Sequence, residues 1–154
     1  MVIRSLDTKK DPYRPKGDDE MVLGPDVPYL SVIGALLYLE QCIILDIAFS
    51  VNLLARYSSA PTSRHWTNIK HILRYLRGTA DMGLFYSNES TNAPSIVGYA
   101  DARYLSDPYV GRSQTGYAFT CGGIAISWLS MKQTLVATSS NHSEILALHE
   151  ASCE

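Results

Sequence analysis

A chain of 154 residues holds one medium domain or two small ones, and its 46% hydrophobic and 18% charged residues are the balance of an ordinary soluble protein. A formal net charge of −2 leaves no bulk attraction to nucleic acid or membrane, so any basic surface must be local. The 3 cysteines, Cys42, Cys121 and Cys153, form no CxxC pair; this argues against a disulfide framework or structural zinc and for a reducing, intracellular compartment.

The opening "MVIRSLDTKKD" lacks the apolar core of a signal peptide, so the chain is expected not to be secreted. Residues 1–28 include "DTKKDPYRPKGDDE", whose prolines and dense mixed charge predict a disordered or extended arm, or one draped over a neighbouring domain. Residues 29–80 read as a helical module. Its most apolar run, Val27 to Leu39, is shorter than the roughly 20 residues a membrane span needs, so a buried helix and no membrane contact are expected. Two helices fill Tyr29 to Tyr57, with Asp46 as the expected N-cap of the second. A third runs from Pro61 or Thr62 to about Arg77, closed by Gly78. Trp66, Ile69, Leu73 and Leu76 share its apolar face, and Lys70, Arg74 and Arg77 form a basic stripe beside it. That stripe is either a solvated face or a phosphate contact.

Residues 84–154 change period toward two. "LFYS" is a short strand candidate and "STNAPS" a linker. "SIVGYADA", "TGYAFTC" and "IAISWL" predict three strands, the last two joined as a hairpin by Gly122-Gly123. "KQTLVATSS" is expected to continue the third strand after a turn near Ser130 to Lys132. A helix follows, capped by Asn141 with Glu144 at capping-box spacing. The fold class is therefore α+β, a helical module followed by three antiparallel strands and a helix.

Two carboxylates carry the chemical signal. Asp101 ends the apolar part of the first strand, and Glu144 lies early in the helix after the third; a strand end and a helix start can converge on one edge of an α/β layer. Magnesium needs oxygen ligands, one or two of them carboxylates. Each acid also has a structural explanation: Asp101 can bond the turn after it, and Glu144 can complete a capping box. His149 and Cys153 sit at i, i+4 without further ligands nearby, and His65 and His71 share no helical face. The serines lack a base for a nucleophilic triad. The glycines of "CGGIA" do not lead into a helix, which argues against a phosphate-cradling loop.

The stretches "VGYADARYLSD" and "RSQTGYAFTCGGIAISWLSMKQTLVATSSNHSEILALHEA" closely resemble the ribonuclease H domain of copia-type LTR retrotransposon polyproteins. Upstream, "PYLSVIGALLYL" and "DIAFSVNLLARYSSAPTSRHWTNIKHILRYLRGT" resemble the end of the reverse transcriptase region of the same polyproteins. The resemblance runs from about residue 20 onward. It implies a ribonuclease H-like unit in which Asp101 and Glu144 match the first two catalytic acids and bind Mg2+. The substrate it implies is the RNA strand of an RNA–DNA hybrid. Arg103 stands where the family often has a second acid, and Ile44 and Leu45 stand where it usually has Arg-Pro; without that proline the two helices could run together. The family's third and fourth acids match nothing before Glu154. The expectation is thus a truncated polyprotein fragment that binds Mg2+ weakly or not at all, is inactive alone, and has the rest of a Pol polyprotein as its natural partner. The alternative is a non-catalytic nucleic-acid-binding remnant that uses Lys70, Arg74 and Arg77.

Overall fold

The computed structural model describes residues 11–86 and 95–154 and divides into two compact units between Met82 and Gly83. The architecture is α+β: three helices, then a three-stranded antiparallel sheet, then a final helix.

In the first unit, α1 (Tyr29–Cys42) buries Tyr29, Ile33, Leu36 and Glu40, one position per turn, against α2 (Ala48–Ala55). Val51, Leu53 and Leu54 of α2 and Ile69 and Ile72 of α3 (Ser63–Gly78) complete the core. The Tyr29 hydroxyl donates to Leu54 O at 2.9 Å, which satisfies a buried phenol within that core. Glu40 is buried as well, and desolvation raises its pKa. Among the described residues no helix is long and apolar enough to cross a membrane.

The first two helices do not run together. Ile43 and Ile44 leave the helical region, both their N–H groups converge on Leu39 O at 3.0 Å, and a 3-10 turn at Leu45–Ile47 leads into α2. Asp46 does not cap α2. No side chain caps that helix, and the Asp46 carboxylate instead accepts a hydrogen bond from the Tyr75 hydroxyl on α3.

The disorder that composition suggests for the arm is not what residues 11–28 show. They have no helix or long strand, yet Tyr13 enters the core and Asp11 is buried. Arg64 of α3 reaches the carbonyls of Asp11, Pro12, Arg14 and Pro15 at 3.2–3.5 Å and binds Glu20 at 2.7 Å. The arm also covers a polar strip of α3: Asn68 Nδ2 donates to Pro12 O at 3.0 Å, and His65 Nε2 lies 2.9 Å from Arg14 O. This cover rotates the buried face of α3. His65, Asn68, Ile69 and Ile72 are buried, whereas Leu73, expected inside, is 42% exposed.

In the second unit, β1 (Ile96–Asp107), β2 (Arg112–Cys121) and β3 (Ile124–Lys132) lie in that order, with β1 and β3 at the edges. Gly122 and Gly123 have φ of +60° and +83°, the pair of left-handed residues that a two-residue hairpin turn requires. β3 runs unbroken through Ser130 to Lys132, where a turn was expected, and residues 133–139 form a loop rather than more strand. Residues 84–86 are not a strand either; Tyr86 uses its hydroxyl to bond Ala125 O on β3 at 2.7 Å. The expected linker over residues 90–95 lies, apart from Ser95, outside the described residues, as do residues 1–10 of the arm. α4 (Ser140–Ser152) packs on β1 and β2 through the small side chains of Ser143, Ala147 and Ala151.

Candidate metal centre

Asp101 lies in the regular part of β1, opposite Gly116, and its side chain is exposed. The place of Glu144 follows from where α4 begins. Ser139, not Asn141, is the N-cap, and its hydroxyl accepts the His142 N–H at 3.1 Å. Glu144 is therefore five residues past the cap and cannot be the N3 half of a capping box. Its carboxylate goes elsewhere: Oε2 accepts the N–H of Ala102 at 3.1 Å. Glu144 thus meets β1 at the residue directly after Asp101.

The two side chains reach that point from different directions. Ala102 and its partner Thr115 face α4, because Gln133 joins Thr115 Oγ1 to the Ser143 carbonyl of the helix. Side chains alternate along a strand, so Asp101 leaves β1 from the opposite face. The acids flank the strand at adjacent residues. Arg103 shares the face of Asp101 and is also exposed, so a cation at Asp101 would feel like-charge repulsion there.

The far end of α4 is anchored separately. The Tyr117 hydroxyl donates to Glu154 at 3.0 Å and Ser127 Oγ donates to its other oxygen at 2.7 Å. Burial, then the Glu154 carboxylate, pushes the Tyr117 phenol up to about 12.

Mg2+ takes one or two carboxylates and keeps several waters, and here the two acids stand at adjacent positions of β1 but on different sides of it. Among the described residues there is no group of three or more His, Cys, Asp and Glu side chains able to hold a metal. The three cysteines are free, and the His149–Cys153 pair gains no further ligand among the described residues. Lys70, Arg74 and Arg77 lie in the first unit, exposed along α3. The Lys70 Nζ sits 6.0 Å from the Trp66 ring centroid, and the three have no carboxylate partner among the described residues. Arg74 also lines a cleft of about 410 Å³ with Tyr13, Asp46, Asn68, His71 and Tyr75. Sequence reasoning passed over Gln133 and Arg64. Neither belongs to a motif, and their roles rest on partners 10 to 53 residues away in the chain.

Comparison with known proteins fixes the relationship. Secreted RxLR effector protein 161 from Plasmopara viticola is 41% identical over 129 residues, 84% of this chain and 89% of that protein. The retrovirus-related Pol polyprotein from transposon TNT 1-94 of Nicotiana tabacum is 41% identical over 128 residues, and that from transposon RE2 of Arabidopsis thaliana 36% over 126. The chain belongs to the family of that effector protein and, over most of its own length, is similar to retrovirus-related Pol polyproteins. The chain spans 9% and 8% of the length of those two polyproteins, against 89% of the effector protein. No domain-family profile and no solved structure matches it.

Proposed function

We propose that the second unit is the opening part of a ribonuclease H-like hydrolase, with Asp101 and Glu144 as the acids that hold Mg2+. The substrate class is the RNA strand of an RNA–DNA hybrid. One observation carries this reading: the Glu144 carboxylate on the Ala102 N–H, next to Asp101. It gives Glu144 a role other than helix capping and sets a helix acid against the strand residue that follows Asp101. The resemblance of the sequence to copia-type ribonuclease H suggests the substrate class, and similarity to Pol polyproteins supports that reading. When bound, the cation would offset the charge of the phosphodiester oxygens. Asp101 offers it an exposed carboxylate, while the backbone fixes one oxygen of Glu144 and leaves the other for the ion.

A two-cation hydrolase places more negative charge around its ions than two acids supply. This chain alone is thus proposed to bind Mg2+ weakly and not to turn over, with the remainder of a Pol polyprotein as the partner that completes the site. Titration of Mn2+ into labelled protein should broaden the resonances of Asp101, Ala102 and Glu144 first, at about millimolar concentration, and Asp101→Asn should remove that effect. Broadening that begins elsewhere would overturn the site. Cleavage of labelled hybrid above background, abolished by Asp101→Asn, would overturn the inactivity.

A second reading, binding of nucleic acid without catalysis, is favoured by Lys70, Arg74 and Arg77, which have no carboxylate partner among the described residues. Removing one phosphate-binding cation should lower the salt slope of hybrid binding by about 1, so reversing all three charges should flatten it by about 3. A slope unchanged by the triple reversal discards this reading.

A further inference from the structure

Glu144 is held on β1 by a closed circuit of contacts. Ala102 lies opposite Thr115 in the sheet, Thr115 Oγ1 accepts from Gln133 Nε2 at 3.0 Å, and the same nitrogen donates to Ser143 O at 2.9 Å. Ser143 precedes Glu144, whose carboxylate closes the circuit on Ala102. Gln133 stands at the corner opposite the Glu144–Ala102 bond. It is fully buried and fastened through its own backbone, with its N–H on Ser113 O at 2.9 Å and its carbonyl 3.4 Å from Arg112 Nη1. The loop from Gln133 to the cap holds the helix start weakly: Leu135 and Val136 are 59% and 55% exposed, and only Ala137 is buried with Gln133.

We propose that Gln133 is the positioning residue that sets Glu144 against the strand segment bearing Asp101. The inference rests on the reading of those acids as a cation site. The side-chain amide is chosen for its donors rather than its bulk. Its Oε1 is buried with no partner, a cost that a leucine of similar size would not carry. What the amide adds is one nitrogen bridging the strand to the helix at the residue before Glu144. Partners of this kind, one shell out from the ligands, commonly change metal affinity by about tenfold or more.

The test uses the full chain carrying Gln133→Leu. The variant gives up both hydrogen bonds but also relieves the unpartnered oxygen, so its urea midpoint should stay near that of the parent. The Ala102 amide should then exchange with solvent about tenfold faster, and the affinity for Mn2+ should fall about tenfold. Should Gln133→Leu not fold, Thr115→Val removes only the strand-side anchor and should give a smaller acceleration at the same amide. An Ala102 amide that exchanges at the parental rate overturns the role of Gln133. Failure of the cation reading shows differently, as a parent protein in which Mn2+ leaves Asp101 and Glu144 unbroadened while the exchange comparison still decides Gln133.

Discussion

Replacing Arg64 with alanine should detach residues 11–20 from the helical unit and destabilise that unit by about 2–3 kcal/mol. The guanidinium binds Glu20 through two nitrogens, at 2.7 and 3.2 Å, and faces four carbonyls of the arm. Arginine is suited to this because its planar fork presents five donors in fixed directions. Without it, those carbonyls and Glu20 must find water, and Tyr13 loses the tether that keeps it in the core. Arg14 also binds Glu20, at 3.0 Å, but it belongs to the arm and cannot replace a bond from α3. Urea unfolding read by amide exchange in α2 and α3 should show the destabilisation, and limited proteolysis should now cut between Asp11 and Glu20. Arg64→Lys should rescue little, because a single ammonium cannot span the same acceptors. A variant that keeps its protease resistance and stability would show that the arm is held by Tyr13 and the Asn68 hydrogen bond instead.

Acidification should produce the second large effect, in the same place. The Arg64 side chain first, then the Gly17 N–H, holds the Glu20 carboxyl at about 2, well below its ordinary value. Its stabilising effect is present above the ordinary carboxylate range and is lost as pH falls toward about 2. His65 acts in the same direction. Burial lowers its pKa, and its ring accepts the Thr62 N–H at Nδ1, which requires the neutral form. Its contribution is therefore complete above the ordinary histidine value and declines as pH drops below it. Between about pH 7 and 3 the melting temperature of the helical unit should fall by on the order of 5 °C or more. His65→Gln should flatten the upper part of that decline and leave the lower part, which belongs to Glu20. A decline that the variant leaves unchanged from about pH 7 to 5 would remove His65 as its cause.

The fold class was legible because it rests on local patterns. The change of period after "GTADMG", the Gly122-Gly123 turn and the "PTS" start of α3 each declare themselves within a few residues. The arm was not legible, because its order depends on Arg64 and Asn68, whose partners there lie 53 and 56 residues away. The same packing misled the reading of α3: polar His65 and Asn68 are buried under the arm, so the helix turns Leu73 toward water. Glu144 shows both outcomes at once. Its residue type and position marked it as a candidate ligand, but the predicted cap at Asn141 was two residues late. Ser139 takes that role because its hydroxyl reaches the His142 N–H. Only the three-dimensional register shows Glu144 meeting the sheet beside Asp101.

Strands at the rim of a sheet invite other polypeptides to lie down beside them, and β1 is such a rim, with Ile96, Val97 and Tyr99 largely open to water. At Ala102 that invitation is withdrawn. A newcomer seeking to zip along β1 must first dislodge a charged side chain from the N–H it would use. One acid thereby guards the molecule against its own stickiness.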